Sequence, residues 1–131
     1  MTLRELSQLY WLKKEIALHQ QRLAEIRAAM QSPKAQNLSG MPKGGGRNLI
    51  EDQTEEILRL EGMIDRLEKK CREERVKLES YIETIGDSHT RQIFLYRFEY
   101  GLTWVQIALK IGGGNTDDSV KKTCYRYLRK K

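Results

Sequence analysis

The sequence predicts an all-α protein: a long antiparallel helical hairpin, coiled-coil-like, followed by a three-helix helix-turn-helix unit. Three observations carry this expectation. Leu9, Ile16, Leu23 and Met30 recur every seven residues, and Leu12, His19 and Ile26 stand three places after the first three of them. Ile50, Ile57, Ile64, Cys71, Leu78 and Ile85 keep the same period further on. Beyond Gly86 the pattern changes to short apolar groups at helical spacing, separated by Gly101 and by Gly112-Gly113-Gly114. Strand signals are absent throughout.

Thr2-Leu3-Arg4-Glu5 reads as a capping box that starts the first helix. This helix is expected to run unbroken to Met30, which is about 43 Å at the ordinary rise. His19 falls on its seam, where it reads as a polar residue that sets register. Ser32-Pro33 stops the helix. Residues 32–48 hold both prolines of the chain and four glycines, and read as a flexible loop. Its Lys43-Gly44-Gly45-Gly46-Arg47 lacks the preceding strand and the Gly-Lys-Ser/Thr ending of a phosphate cradle. A basic linker is the reading that remains.

The second long helix is expected from Leu49 to Ile85. Leu60, Leu67 and Tyr81 fill its second seam, Gln53 and Glu74 interrupt it, and Gly62 lies outside it. Two such helices joined by a loop fold back on each other. Glu55-Glu56 and Glu73-Glu74 are adjacent carboxylates, but neighbours in a helix point about 100° apart. They do not form a catalytic pair, and no other catalytic constellation is present, so the chain does not read as an enzyme.

Gly86 ends the second helix, and Asp87 or Ser88 is placed to cap a third that reaches about Tyr100, with Ile93, Phe94 and Phe98 inward. Thr103 and Gln106 form a second capping box, and Ile107, Ala108 and Ile111 share one face of the helix that follows. After the glycine turn, Asn115 or Thr116 is placed to cap a last helix with Val120, Cys124 and Leu128 inward. The expected domains are a hairpin over 1–86, with the loop 32–48, and a three-helix unit over 87–131. Three helices suffice for a small core, so 87–131 is expected to fold and act alone, more weakly than the whole chain.

Composition narrows the function. Hydrophobic residues are 39% and charged residues 32% of 131, which suits long exposed helices around a thin core. No apolar run reaches membrane length and no signal peptide opens the sequence, so a cytoplasmic protein is expected. Cys71, Cys124, His19 and His89 lack zinc-ligand spacing. No metal or cofactor is expected, and both thiols read as buried. Residues 1–86 hold 15 Lys/Arg against 14 Asp/Glu, and residues 87–131 hold 9 against 4. Almost all of the net +6 therefore lies in the last third of the chain. A phosphate backbone is the partner that such a local excess attracts.

On the last helix, the face opposite Val120 and Cys124 carries Asp118, Ser119, Lys122, Arg126 and Arg129, flanked by Lys121 and Tyr125. In a helix-turn-helix the first turns of the second helix meet base edges. Ser119, Lys122 and Arg126 are the candidates for base contact. Lys121, Arg129, Lys130, Lys131 and Gln106 are the candidates for phosphate contact, or a solvated tail in the case of the last two lysines. Asp117 and Asp118 suit the positive end of the helix and read as capping residues.

The run Arg91-Gln92-Ile93-Phe94-Leu95-Tyr96-Arg97-Phe98, then Gly101-Leu102-Thr103-Trp104 and Ile107-Ala108, is similar to region 4 of sigma-70-type factors. With Ile111 through Val120 added, it resembles the phage and prophage sigma-70 region-4-like regulators, the ArpU/RinA-type late-gene activators. The resemblance covers about residues 85–131. It departs from region 4 in the length of the turn from Gly112 to Asn115. It implies sequence-specific binding of double-stranded DNA in phage-type transcription control in a bacterial host, with RNA polymerase as a second partner. Nothing resembles the core-polymerase-binding part of a complete sigma factor. The heptad seams add a homo-oligomer as an expectation. Two rival readings are a phage small terminase subunit, which forms a ring on packaging-site DNA, and a helical interaction protein that binds no DNA.

Overall fold

A computed structural model describes residues 1–31 and 49–130. The expected loop 32–48 and Lys131 lie outside the described residues. Every regular element among those described is helical: α1 Leu3–Leu6, α2 Gln8–Met30, α3 Leu49–Glu83, α4 Ser88–Phe94 running on into a π-helical turn Leu95–Glu99, α5 Trp104–Ile111 and α6 Asp117–Arg129. The protein is all-α. Residues 14–69 form one compact unit, and residues 1–13 with 70–131 form another.

In the unit 14–69, α2 and α3 pack antiparallel. Ala29, near the end of α2, lines a groove with Asp52 and Gln53, near the start of α3. Leu23, Ile26, Leu60 and Ile64 make the core, with Ile16, Met30 and Ile57 against it, as the heptads require. Arg22 meets Glu56 at 3.7 Å and Arg27 meets Glu61 at 3.3 Å across the pair. These exposed pairs contribute about 0–1 kcal/mol each, so the apolar seam carries the pairing. The seam frays at Ile50, which is 53% exposed. His19 is half-buried on it, and its Nε2 stands 3.7 Å from Glu15, beyond hydrogen-bonding distance.

Gly62 has no packing reason to be glycine. A methyl group there would meet only the mobile end of Arg66, at 3.6 Å. Glycine inside a helix costs roughly 0.5–1 kcal/mol against alanine. Gly62→Ala is expected to stabilise the protein by about that amount, read as a higher urea midpoint at unchanged slope.

In the other unit the first helix departs from expectation. The capping box is present, with Thr2 accepting from Glu5 N–H and Glu5 returning the bond. The helix is not continuous, however. Ser7 relaxes to φ −84°, ψ −6° and divides α1 from α2, although Leu6→Thr2, Ser7→Leu3 and Trp11→Ser7 backbone bonds keep the chain on course. Helix α3 stops two residues before Ile85. Its last turn tightens to Thr84→Tyr81 and Ile85→Ile82 backbone bonds, and the Thr84 hydroxyl donates to the Tyr81 carbonyl at 2.6 Å. That tightening delivers Ile85, fully buried, into the core.

Asp87, rather than Ser88, caps α4. Its carboxylate accepts from the Thr90 hydroxyl at 2.7 Å and from Thr90 N–H at 3.1 Å. These bonds hold it below the usual carboxylate range. The expected third helix reaches Glu99 only by widening to a π turn, closed by Tyr100 N–H on the Leu95 carbonyl at 3.1 Å. Its inner face is as read: Ile93, Phe94 and Phe98 are buried.

The core of this unit draws on every segment. Leu6, Leu9 and Leu12 come from the start of the chain, Leu78, Ile82 and Ile85 from the end of α3, and Ile107, Val120 and Cys124 from the last two helices. Phe94 sits among Phe98 at 5.3 Å, Tyr127 at 5.5 Å and Tyr81 at 6.4 Å between ring centres. Lys13 donates to the Glu99 carbonyl at 2.9 Å, and Arg91 to that of Ile85 at 2.8 Å. Burial, then the nearby Glu79, pushes the Glu99 carboxyl up, against Arg75 and Lys13.

Candidate nucleic-acid interface

Two capped helices and a glycine turn build the candidate surface. Thr103 caps α5: its hydroxyl accepts from Gln106 N–H at 3.2 Å, and Gln106 Oε1 accepts from Thr103 N–H at 2.9 Å. Ile107 and Ala108 are buried behind it. The turn needs its glycines. Gly112 adopts φ 68°, ψ −149°, a region closed to other residues, and Gly113 and Gly114 also have positive φ. Asn115 locks the turn, its amide donating to the Gly112 carbonyl at 2.6 Å.

Of the two cap candidates for α6, Thr116 is the one used. Its hydroxyl accepts from Ser119 N–H at 3.1 Å, and Ser119 Oγ accepts from Thr116 N–H at 2.9 Å. Asp117 and Asp118 therefore do not cap through their side chains. They remain in the first turn, where the helix dipole favours them. Asp118 instead holds Lys122 at 2.9 Å on the exposed surface.

The inward face is largely as read. Val120 and Cys124 are fully buried, and Leu128 is half-buried. Burial pushes the Cys124 thiol up to about 12, so it is an inert packing group rather than a nucleophile. The outward residues fall into four groups. Lys121, Lys122, Arg126 and Arg129 are exposed on α6, and Lys130 at its C-cap is exposed too. Ser119 is half-buried, and its hydroxyl proton goes to the Thr116 carbonyl at 3.0 Å, so its side chain serves the cap. Gln106 is exposed on α5, with its amide oxygen committed and its amino group free of the capping box. Tyr125 is half-buried and meets Trp104 edge-on at 6.0 Å.

Trp104 ties the two helices to the π turn. The Arg97 guanidinium lies over its ring at 4.2 Å and donates to the Leu102 carbonyl at 3.0 Å. Sequence reasoning named neither residue for a role. The pair is seven apart across a glycine, and no helical or strand period marks such a contact.

No grouping of three or more metal-ligating side chains occurs among the described residues. No described helix is long and apolar enough to cross a membrane. No protein-family model matches this chain, and no curated protein or solved structure matches it.

Proposed function

We propose that this protein is a sequence-specific DNA-binding regulator of phage type, with α6 as the helix that enters the major groove. One observation supports the reading above others: an exposed row of Lys121, Lys122, Arg126 and Arg129 on the helix that follows a capped, glycine-turned partner helix. Arg126 and Lys122 are the readers in this proposal. Lys121, Arg129 and the Gln106 amino group hold phosphate, and Tyr125 orients the helix through Trp104. Ser119 shapes the start of α6 through its cap. The role is binding rather than catalysis, RNA polymerase is the second partner that the resemblance implies, and the setting is bacterial cytoplasm. A homo-oligomer would raise affinity by presenting two reading heads.

The test compares two cations on one helix. Arg126 lies opposite Val120 and Cys124, whereas Lys130 is the C-cap just past the end of the helix. Arg126→Ala is expected to cost roughly 1–3 kcal/mol on a selected site and to relax preference at one base position. Lys130→Ala is expected to weaken selected and scrambled sites alike and to lower the salt slope by about one unit. Salt titrations of both variants on both duplexes read this out. Equal, ratio-preserving losses would make Arg126 a phosphate clamp. A closed ring in native mass measurement would move the reading to a small terminase subunit.

A further inference from the structure

A cleft of about 310 Å³ lies beside the interface just described, within one compact unit. Ser7, Tyr10 and Trp11 form one wall, and Arg97, Gly101 and Thr103 the other. Gly101 takes φ 68°, and a side chain there would approach the Tyr10 ring to 3.4 Å, so the walls stand close at this point.

Arg97 is the unusual member. It is half-buried, yet no described carboxylate forms an ion pair with it. It meets the Leu102 carbonyl and the face of the Trp104 ring. Removing a guanidinium from water without an opposite charge is costly, and a single carbonyl bond uses only one of its five N–H donors. The other polar groups of the cleft are also donors. The Thr103 oxygen accepts from Gln106 N–H, which leaves its proton to give. Ser7 adds a hydroxyl and Trp11 an indole N–H, the latter on a residue 62% exposed. No carboxylate lines the cleft. Hydroxyl and indole donors around a guanidinium, with no anionic group among them, fit an oxyanion that carries charge on several oxygens.

We propose that this cleft binds a phosphate group, with Arg97 as the fork and Ser7, Thr103 and Trp11 as supporting donors. Two sources share that chemistry: a phosphodiester of bound DNA and a free phosphate. The first source rests on the DNA-binding reading above, and the second does not.

The chain holds two tryptophans, Trp11 in the cleft and Trp104 under Arg97, so tryptophan fluorescence excited selectively over the six tyrosines reports from the cleft wall and the Arg97 stack. The full chain is titrated with inorganic phosphate, with sodium chloride at matched ionic strength, and with duplex DNA. A saturable change with phosphate or with duplex, absent with chloride, is expected. Arg97→Gln is expected to weaken it at least tenfold. Ser7→Asp, which puts a carboxylate into the cleft without touching the Arg97 stack, is expected to do the same. Circular dichroism establishes that each variant is folded. Displacement of phosphate by duplex identifies the DNA backbone as occupant, and duplex binding that leaves the phosphate signal intact identifies a free anion. Phosphate binding without any DNA binding supports the site and refutes the DNA-binding reading. Wild-type behaviour that chloride reproduces, or a folded Ser7→Asp variant with unchanged affinity for both ligands, overturns the site.

Discussion

A fragment of residues 87–131 is expected to remain unfolded when made alone. The sequence suggested that three helices could close their own core, but the compact unit that contains them also takes in residues 1–13 and 70–86. Leu6, Leu9, Leu12, Leu78, Ile82 and Ile85 are each at most 4% exposed in that unit, and the fragment lacks all six. A fully buried leucine or isoleucine contributes about 1.5–3 kcal/mol. Six such losses, about 9–18 kcal/mol, are of the same size as the roughly 5–15 kcal/mol by which a whole domain is stable. The Arg91 bond to the Ile85 carbonyl and the Lys13 bond to Glu99 go as well. Far-UV circular dichroism of the fragment beside the full chain checks this. A cooperative, helical fragment would mean that the last three helices need nothing from the rest.

Phe94→Ala is expected to destabilise the protein by about 3–5 kcal/mol, the range for an aromatic ring deleted from a packed core. Phe94 is fully buried, with Phe98, Tyr127 and Tyr81 around it. It joins α4 to its own π turn, to α6 and to α3, so no single neighbour can move to fill the space. The loss should also reach DNA binding, because Tyr127 on the Phe94 side and Tyr125 on the Trp104 side locate α6. Denaturant unfolding measures the effect, and a change below about 1 kcal/mol would mean that the core closes over the gap.

What the sequence made legible was local. Capping boxes at Thr2–Glu5 and Thr103–Gln106 need only residues three apart, and both are present. The heptads placed Leu23, Ile26, Leu60 and Ile64, because a seven-residue period has one buried side in any long helix pair. The inward set Ile93, Phe94, Phe98, Val120 and Cys124 followed from helical spacing for the same reason. Features that depend on competition between neighbours were less visible. Asp117 and Asp118 looked like caps, but Thr116 and Ser119 satisfy each other reciprocally and so take the capping bonds. The break at Ser7 interrupts a helix without changing its period, and the π turn at Leu95–Glu99 inserts a residue that no period records. Tertiary facts were not legible: Leu6 and Cys124 are distant in the chain yet serve one unit, and Arg97 finds Trp104 only once Gly101 has turned the backbone.

The most direct test of the account is selection of bound duplexes from a random pool by the full chain, at near-physiological salt with competitor DNA. Recovery of a common motif is predicted, with contacts in the major groove and with one position of the motif losing its preference when Arg126→Ala replaces the wild-type chain. A pool that stays random after repeated rounds, or that the chain does not retain above competitor, would contradict α6 as a reading helix.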